Sequence, residues 1–221
     1  MNIIPDAHTH LDFVSQGVPA VVNSVSVDDW QQVAQLCQEH PILLPAFGIH
    51  PWSVTAQLCA DKSWADKLDS LLSSVPNASV GEVGLDRSTN IPLDMQTRIL
   101  ERQLDIALQH NCAVSIHCFK AFDILIPIIR QYHLTYIIHG YSGSAQITKQ
   151  LLEMDCYFSF GRIQDNRLSK LRTIMPLIPP ERLLVESDGK VEADLEQTAD
   201  TLAQLCGITP EQLCDNFDAA F

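Results

Sequence analysis

His8 and His10 stand one residue apart in Asp6-Ala7-His8-Thr9-His10, just after the apolar pair Ile3-Ile4. Alternate residues of a strand share a face, so Asp6, His8 and His10 are expected to point together, with both imidazoles able to grip one divalent cation. An isolated pair of this kind is as readily satisfied by backbone partners. Four later motifs, however, end in residues able to complete a metal site. Glu82 lies in Gly81-Glu82-Val83-Gly84-Leu85-Asp86, between glycines that let backbone or a cation approach closely, and a carboxylate can bridge two ions. His117 follows Val114-Ser115-Ile116, and His139 follows Tyr136-Ile137-Ile138. Asp188 closes Glu186-Ser187-Asp188 after Leu183-Leu184-Val185, and is a candidate both for ligation and as the base that accepts a proton from water.

Other residues take lesser roles. His50 in Gly48-Ile49-His50-Pro51 reads as a substrate contact held by a proline turn. Asp86 divides between capping the following segment and supporting a ligand. Glu186 reads as a buried support paired with a base or hydroxyl. His40, His110 and His133 fall near helix C-termini, where histidine satisfies terminal carbonyls. Cys118 points away from the face of His117, which argues against a Cys/His nucleophile. The chain has no phosphate-binding P-loop, no G-x-G-x-x-G dinucleotide fingerprint and no G-x-S-x-G elbow.

The elements that must position these residues are eight β-like runs at 3–8, 20–26, 43–49, 79–85, 112–117, 134–139, 155–160 and 183–187. Helical spacing is clearest at 93–110, where Leu93, Gln96, Leu100, Leu104, Ala107 and Leu108 form a stripe. Further helices are expected at 29–39, 62–74, 121–132, 143–154 and 195–206, with 176–181 a proline-rich loop. The connection between the first two runs is too short for a full helix. Strands alternating with helices predict an α/β fold, a (β/α)₈ TIM barrel formed by residues 1–221 as one domain, and every candidate residue sits at a strand's C-terminal end, where such barrels carry their sites. A doubly wound open sheet would gather fewer of these groups at its crevice.

Composition sets limits. A chain of 221 residues that is 46% hydrophobic buries a sizeable core. The net charge of −13 excludes a long positive groove, so any nucleic acid is held locally. There is no bilayer-length apolar segment and no basic leader into an apolar run, which points to the cytoplasm rather than a membrane. Seven cysteines without a C-x-x-C pair read as buried small hydrophobes, not a disulfide framework. No obligate protein partner is implied.

Taken in order and spacing, D-A-H-T-H-L-D, G-I-H-P, G-E-V-G-L-D, His117-Cys118, His139-Gly-Tyr-Ser-Gly and Glu186-Ser-Asp resemble the TatD family of metal-dependent deoxyribonuclease-like hydrolases, across nearly the whole chain. The resemblance implies a TIM barrel with two divalent ions. His8, His10, Glu82 and Asp188 would hold one; Glu82, His117 and His139 would hold the other, with His50 touching substrate phosphate. Mixed imidazole and carboxylate donors suit Zn, Mn, Ni or Fe, and Mg where water completes the shell. The family's arginine two positions after the fifth-strand histidine is Phe119 here, followed by Lys120. Its aromatic after G-L-D is Arg87, and Ser187 and Lys190 stand for its Thr and Pro. Arg87 or Lys120 is the candidate replacement for the missing cation. The expected reaction is phosphodiester hydrolysis at a DNA or other nucleic-acid end by metal-activated water. The alternatives are hydrolysis of carboxylic ester, amide, lactone or aminoacyl ester bonds at the same centre, and a non-catalytic metal-binding module.

Overall fold

The structure is a computed structural model and describes residues 3–161, 163, 165–189 and 193–221. Lys190, singled out above, lies outside them. Eight strands, β1 Asp6–Thr9, β2 Ala20–Asn23, β3 Leu43–Phe47, β4 Ser79–Asp86, β5 Val114–Phe119, β6 Tyr136–Ile138, β7 Cys156–Phe160 and β8 Leu183–Val185, pair in parallel in chain order. Around them run α1 Trp30–Glu39, α2 Ala56–Ala60, α3 Ser63–Ser74, α4 Leu93–His110, α5 Phe122–Ile129, α6 Ala145–Leu151, α7 Asp165–Ile174, α8 Ala193–Cys206 and α9 Pro210–Ala220. This is a nearly closed TIM barrel. Its seam between β8 and β1 is joined by Asp188 N–H donating to the His8 carbonyl at 3.0 Å and by the Asp6 carboxylate. Asp6 accepts from Ser187 N–H at 2.9 Å and from the Ser187 hydroxyl at 2.5 Å.

Two-residue periodicity builds the site. Ala7, Val21, Ala46, Ile137, Tyr157 and Leu184 pack together with Phe217 and Ala220 of α9. Residues from β2 and β3 meet those from β6 and β7 only through the barrel interior, so this cluster is the apolar plug. Two residues further along the strands the same face turns polar: Val21 gives way to Asn23, Ile137 to His139, Tyr157 to Ser159 and Leu184 to Glu186. The chemistry therefore lies at the C-terminal mouth and the packing below it.

Several expectations shift in detail. Ile3 and Ile4 precede β1 instead of opening it, and Asp6 is turned to the seam, away from the histidines. The short connection after His10 is a single 3₁₀ turn at Leu11–Phe13. The 176–181 stretch spans parts of two such turns, Met175–Leu177 and Pro180–Arg182. The stripe of α4 is rotated from the one expected: Leu108 is exposed, while Ile99, Gln103 and Ile106 are buried. α9 begins at a Thr209/Gln212 capping box with Pro210 in its first turn, a start signal legible as Thr-Pro-Glu-Gln. Its Asn216 amide donates to the carbonyls of Pro180 and Leu183, both at 2.8 Å, anchoring the helix beneath β8.

Candidate metal centre

Glu82 is the hub. Its side chain is buried, and its two oxygens face different histidines. Oε2 lies 3.3 Å from His8 Nε2 and 3.5 Å from His10 Nε2. Oε1 lies 2.9 Å from His117 Nδ1, 3.1 Å from His139 Nε2 and 3.3 Å from His50 Nε2. Asp188 joins from the seam, its Oδ1 3.7 Å from His10 Nε2. Asp188, three residues beyond β8, adopts the left-handed conformation with φ +46°, which aspartate tolerates better than most residues.

The ring nitrogens facing away from Glu82 set each histidine's role. His10 Nδ1–H donates to the Asn23 carbonyl at 3.0 Å, and His139 Nδ1–H to Glu186 Oε1 at 3.2 Å. In each, Nε2 is the nitrogen turned toward Glu82, and it would offer a lone pair once the ring has given up a proton. His8 Nδ1 pairs with Ser115 Oγ at 3.0 Å, while its buried Nε2 has no hydrogen-bond partner. His117 places Nε2 3.1 Å from Asp86 Oδ2, so Nδ1 is the nitrogen it offers. His50 is opposite in sense. Its Nδ1 accepts from Trp52 N–H at 3.1 Å, so the neutral ring carries its proton on Nε2 and presents a donor.

Charge follows the same pattern. Burial works against ionised Glu82, yet the charge of His139, attraction to the His8 ring and hydrogen bonds from His117 and His139 hold it well below the usual carboxylate range. Burial, reinforced by the charge of His139, takes His8 down to about 4, keeping its imidazole neutral and its lone pair free. Burial also lowers His50, although Glu82 opposes it. For His139 burial is outweighed by Glu186 and Glu82, which raise it well above normal. His10 is raised, the hydrogen bond to Asp188 and the charge of Glu82 overcoming its burial. Asp188 is lowered by its bond to His10 despite burial.

Among the described residues, three donor groups bring their ligand atoms within 4.8 Å of one another: His8, His10 and Asp188; His8, Glu82 and His139; and His50, Glu82 and His117. An orphaned, neutral imidazole nitrogen aimed at a buried carboxylate, beside rings whose Nδ1 atoms are held by second hydrogen bonds, fits a divalent cation. The chain thus holds clusters able to bind metal, built from His8, His10, Glu82, His117, His139 and Asp188 with His50 at their edge.

Supporting residues complete the site. Asp86 both caps and supports: it accepts from Ser88 N–H and Oγ–H at 2.6 Å each, from the Trp52 indole at 2.6 Å, and faces His117. Glu186 also accepts from Gly140 N–H at 2.8 Å. Sequence reasoning missed Gln96 and Gln103 on α4. Gln96 Oε1 accepts from Asp86 N–H at 2.8 Å and its amide donates to the Asp86 carbonyl at 3.0 Å. Gln103 clamps Ile49 in the same way, accepting at 2.7 Å and donating at 3.4 Å. Two glutamines in an apolar stripe, seven residues apart, were the available signal. Asn23, Ser115 and Trp52 were also missed. The two candidate cations are engaged: Arg87 makes a two-pronged ion pair with Asp123, 2.7 Å on each arm, and Lys120 lies 5.2 Å over the Phe119 ring.

A parallel eight-stranded barrel with a carboxylate-centred histidine cluster at its C-terminal mouth defines a TIM-barrel protein of metal-binding type. Within that class the chain belongs to the TatD family: the family described as TatD related DNase matches residues 5–221. It is 26% identical over 159 residues to the uncharacterized metal-dependent hydrolase YabD of Bacillus subtilis, covering 70% of this chain and 61% of that protein. It is 25% identical over 175 residues to the 3'-5' ssDNA/RNA exonuclease TatD of Salmonella typhimurium, covering 76% and 66%. The chain thus spans about three fifths to two thirds of these curated relatives. The crystal structure of YjjV, a TatD homologue from Escherichia coli K12, superposes with TM-score 0.87 at 22% identity over 99% of this chain and 97% of that one. A TatD family hydrolase from Entamoeba histolytica does so at 0.74 and 15%, over 91% and 83%.

Proposed function

We propose that this protein is a metal-dependent phosphodiesterase that removes nucleotides from nucleic-acid ends. The observation that carries this reading is the division of Glu82, one oxygen facing His8 and His10 and the other facing His117 and His139. A carboxylate so divided suits a pair of cations. His8, His10, Glu82 and Asp188 would hold one ion and Glu82, His117 and His139 the other. When bound, divalent metal supplies a Lewis acid for the phosphoryl oxygens and lowers the pKa of attacking water. Asp188, held as carboxylate beside His10, accepts the proton of that water. The Nε2–H of His50 donates to a phosphate oxygen. Asp86 and Glu186 hold the His117 and His139 rings in place. Arg87 and Lys120 contribute only local contacts to substrate: the Arg87 charge is already paired with Asp123, and Lys120 is a single cation beside Phe119. The donor set admits Zn, Mn, Ni, Fe or Mg. Residues 1–221 act as one barrel unit, and seven free thiols fit a reducing cytoplasm. Among the described residues no helix is long and apolar enough to cross a membrane.

The test presents protein loaded with each metal to 3'-end-labelled single-stranded DNA and RNA, a small bis-phosphodiester and aminoacyl esters side by side. Stepwise shortening that disappears in Glu82→Gln and Asp188→Asn is expected. Turnover of acyl esters with oligonucleotides left intact would replace the reading with carboxylic ester hydrolysis. Turnover of neither class would leave a metal-binding module.

A further inference from the structure

Folding places apolar surface inside, yet Phe13, Trp52 and Phe119 remain 52%, 63% and 42% exposed. They are the exposed Phe and Trp among the described residues, and all three sit at or just beyond the C-terminal ends of barrel strands. Phe13 lies against Gly189, where an added β-carbon would meet its ring at 3.0 Å, placing it next to Asp188 at the β8/β1 seam. Trp52 and Phe119 border Asp86 on the opposite side of the mouth. The Trp52 indole donates to the Asp86 carboxylate, and Phe119 pairs with Asp86 in the β4/β5 ladder. The Glu82 cluster lies between these aromatic walls, with Trp52 only 6.3 Å from the His117 ring centre.

We infer that these faces are stacking platforms for unpaired nucleobases flanking the hydrolysed phosphodiester, with Phe119 the residue that selects for a base beside the centre. The inference rests on the phosphodiesterase reading and adds what grips the substrate. A chain of net charge −13, whose Arg87 is paired with Asp123, has little field with which to hold a phosphate backbone. Stacking needs no net charge, tolerates any base, and requires that base to be unpaired. The Trp52 indole is fixed in orientation by Asp86, so a base meets a pre-set surface there.

The experiment compares Phe119→Ala and Phe119→Tyr with the unaltered protein. Each is given single-stranded oligonucleotides carrying either normal or abasic nucleotides at the last two positions. Removing the bases is expected to lower kcat/KM about tenfold or more for the unaltered protein and Phe119→Tyr, chiefly through KM, and by less than about twofold for Phe119→Ala. An equal loss in all three overturns the inference while leaving the phosphodiesterase reading intact. Failure of that reading shows separately, as no cleavage of any phosphodiester with any metal. The second readout is quenching of a terminal 2-aminopurine by metal-free protein. Quenching by the unaltered protein and Phe119→Tyr but not Phe119→Ala supports stacking; indifference to the substitution overturns it. So does hydrolysis of apolar acyl esters that falls in Phe119→Ala while oligonucleotides stay intact. Thermal melting of Phe119→Ala, whose ring is exposed, verifies the fold in every arm.

Discussion

His50 and Glu82 face each other at 3.3 Å, with the imidazole held from behind by the backbone N–H of Trp52. That backbone bond leaves the ring's proton on Nε2, so His50 faces the cluster as a donor even when its ring is neutral, whereas His8 faces it with a free lone pair. His50→Ala is therefore expected to keep the metal content of the unaltered protein and to lose about a hundredfold in kcat/KM on an oligonucleotide. Elemental analysis beside steady-state kinetics checks both halves. Loss of an ion would instead make His50 a ligand.

Glu82 carries the opposite expectation. Its amide in Glu82→Gln keeps one acceptor oxygen and loses the charge that both histidine sets face. Metal content should fall at both halves of the proposed centre together, with activity reduced to background. For the unaltered protein, chelation should lower the melting temperature, because an ion that binds only the folded chain adds about 2.7 kcal/mol when present at about 100 times its Kd. Calorimetry with and without chelator measures this. A melting temperature indifferent to chelator in the unaltered protein would argue that no ion is bound.

The seam makes a structural prediction. Asp6→Ala strips the acceptor from His8 N–H and Ser187 N–H, both buried, and from the Ser187 hydroxyl. Two orphaned backbone donors cost about 2–6 kcal/mol together. Ser187→Ala removes only the hydroxyl and is expected to cost about 1 kcal/mol. Urea denaturation of metal-free protein gives both values. A loss below about 1 kcal/mol for Asp6→Ala would show that water closes the seam.

Those residues also show what a linear reading can and cannot see. The barrel was legible because strand runs and the α4 stripe repeat with fixed periods, and each candidate ligand closes a run. Asp6 misled for a physical reason: strand alternation placed it with His8 and His10, but the register of β1 shifts between Asp6 and Thr9, and the open edge beside β8 claims the carboxylate. Gln96 and Gln103 escaped because their task is to satisfy backbone at the end of β4 and just beyond β3, ten and more than fifty positions away in sequence. Arg87 looked like a free cation until folding brought Asp123 within 2.7 Å. Alternation along one strand is written locally; pairing across the mouth is not.

Cys118 sits beside His117, yet burial pushes its thiol up to about 12. A thiol with a raised pKa stays protonated below that value, so at pH 8 only about one molecule in ten thousand carries thiolate. Iodoacetamide at pH 8 should leave activity intact over hours, and Cys118→Ser should turn over oligonucleotides at the unaltered rate. Rapid inactivation prevented by that substitution would return a Cys/His pair to consideration.

Gln103 offers a way to disturb the site without touching it. Its amide receives Ile49 N–H and donates to the Ile49 carbonyl, fixing the chain one residue before His50. Gln103→Leu keeps the volume but orphans a buried donor, so stability should fall by about 1–3 kcal/mol. Activity should fall too, because the Nε2–H of His50 would lose the aim at phosphate proposed for it. Combined with His50→Ala, the loss in kcat/KM should not grow further, since both changes remove the same donor. Additive losses in the double variant would mean that Gln103 acts on the centre by a route other than His50.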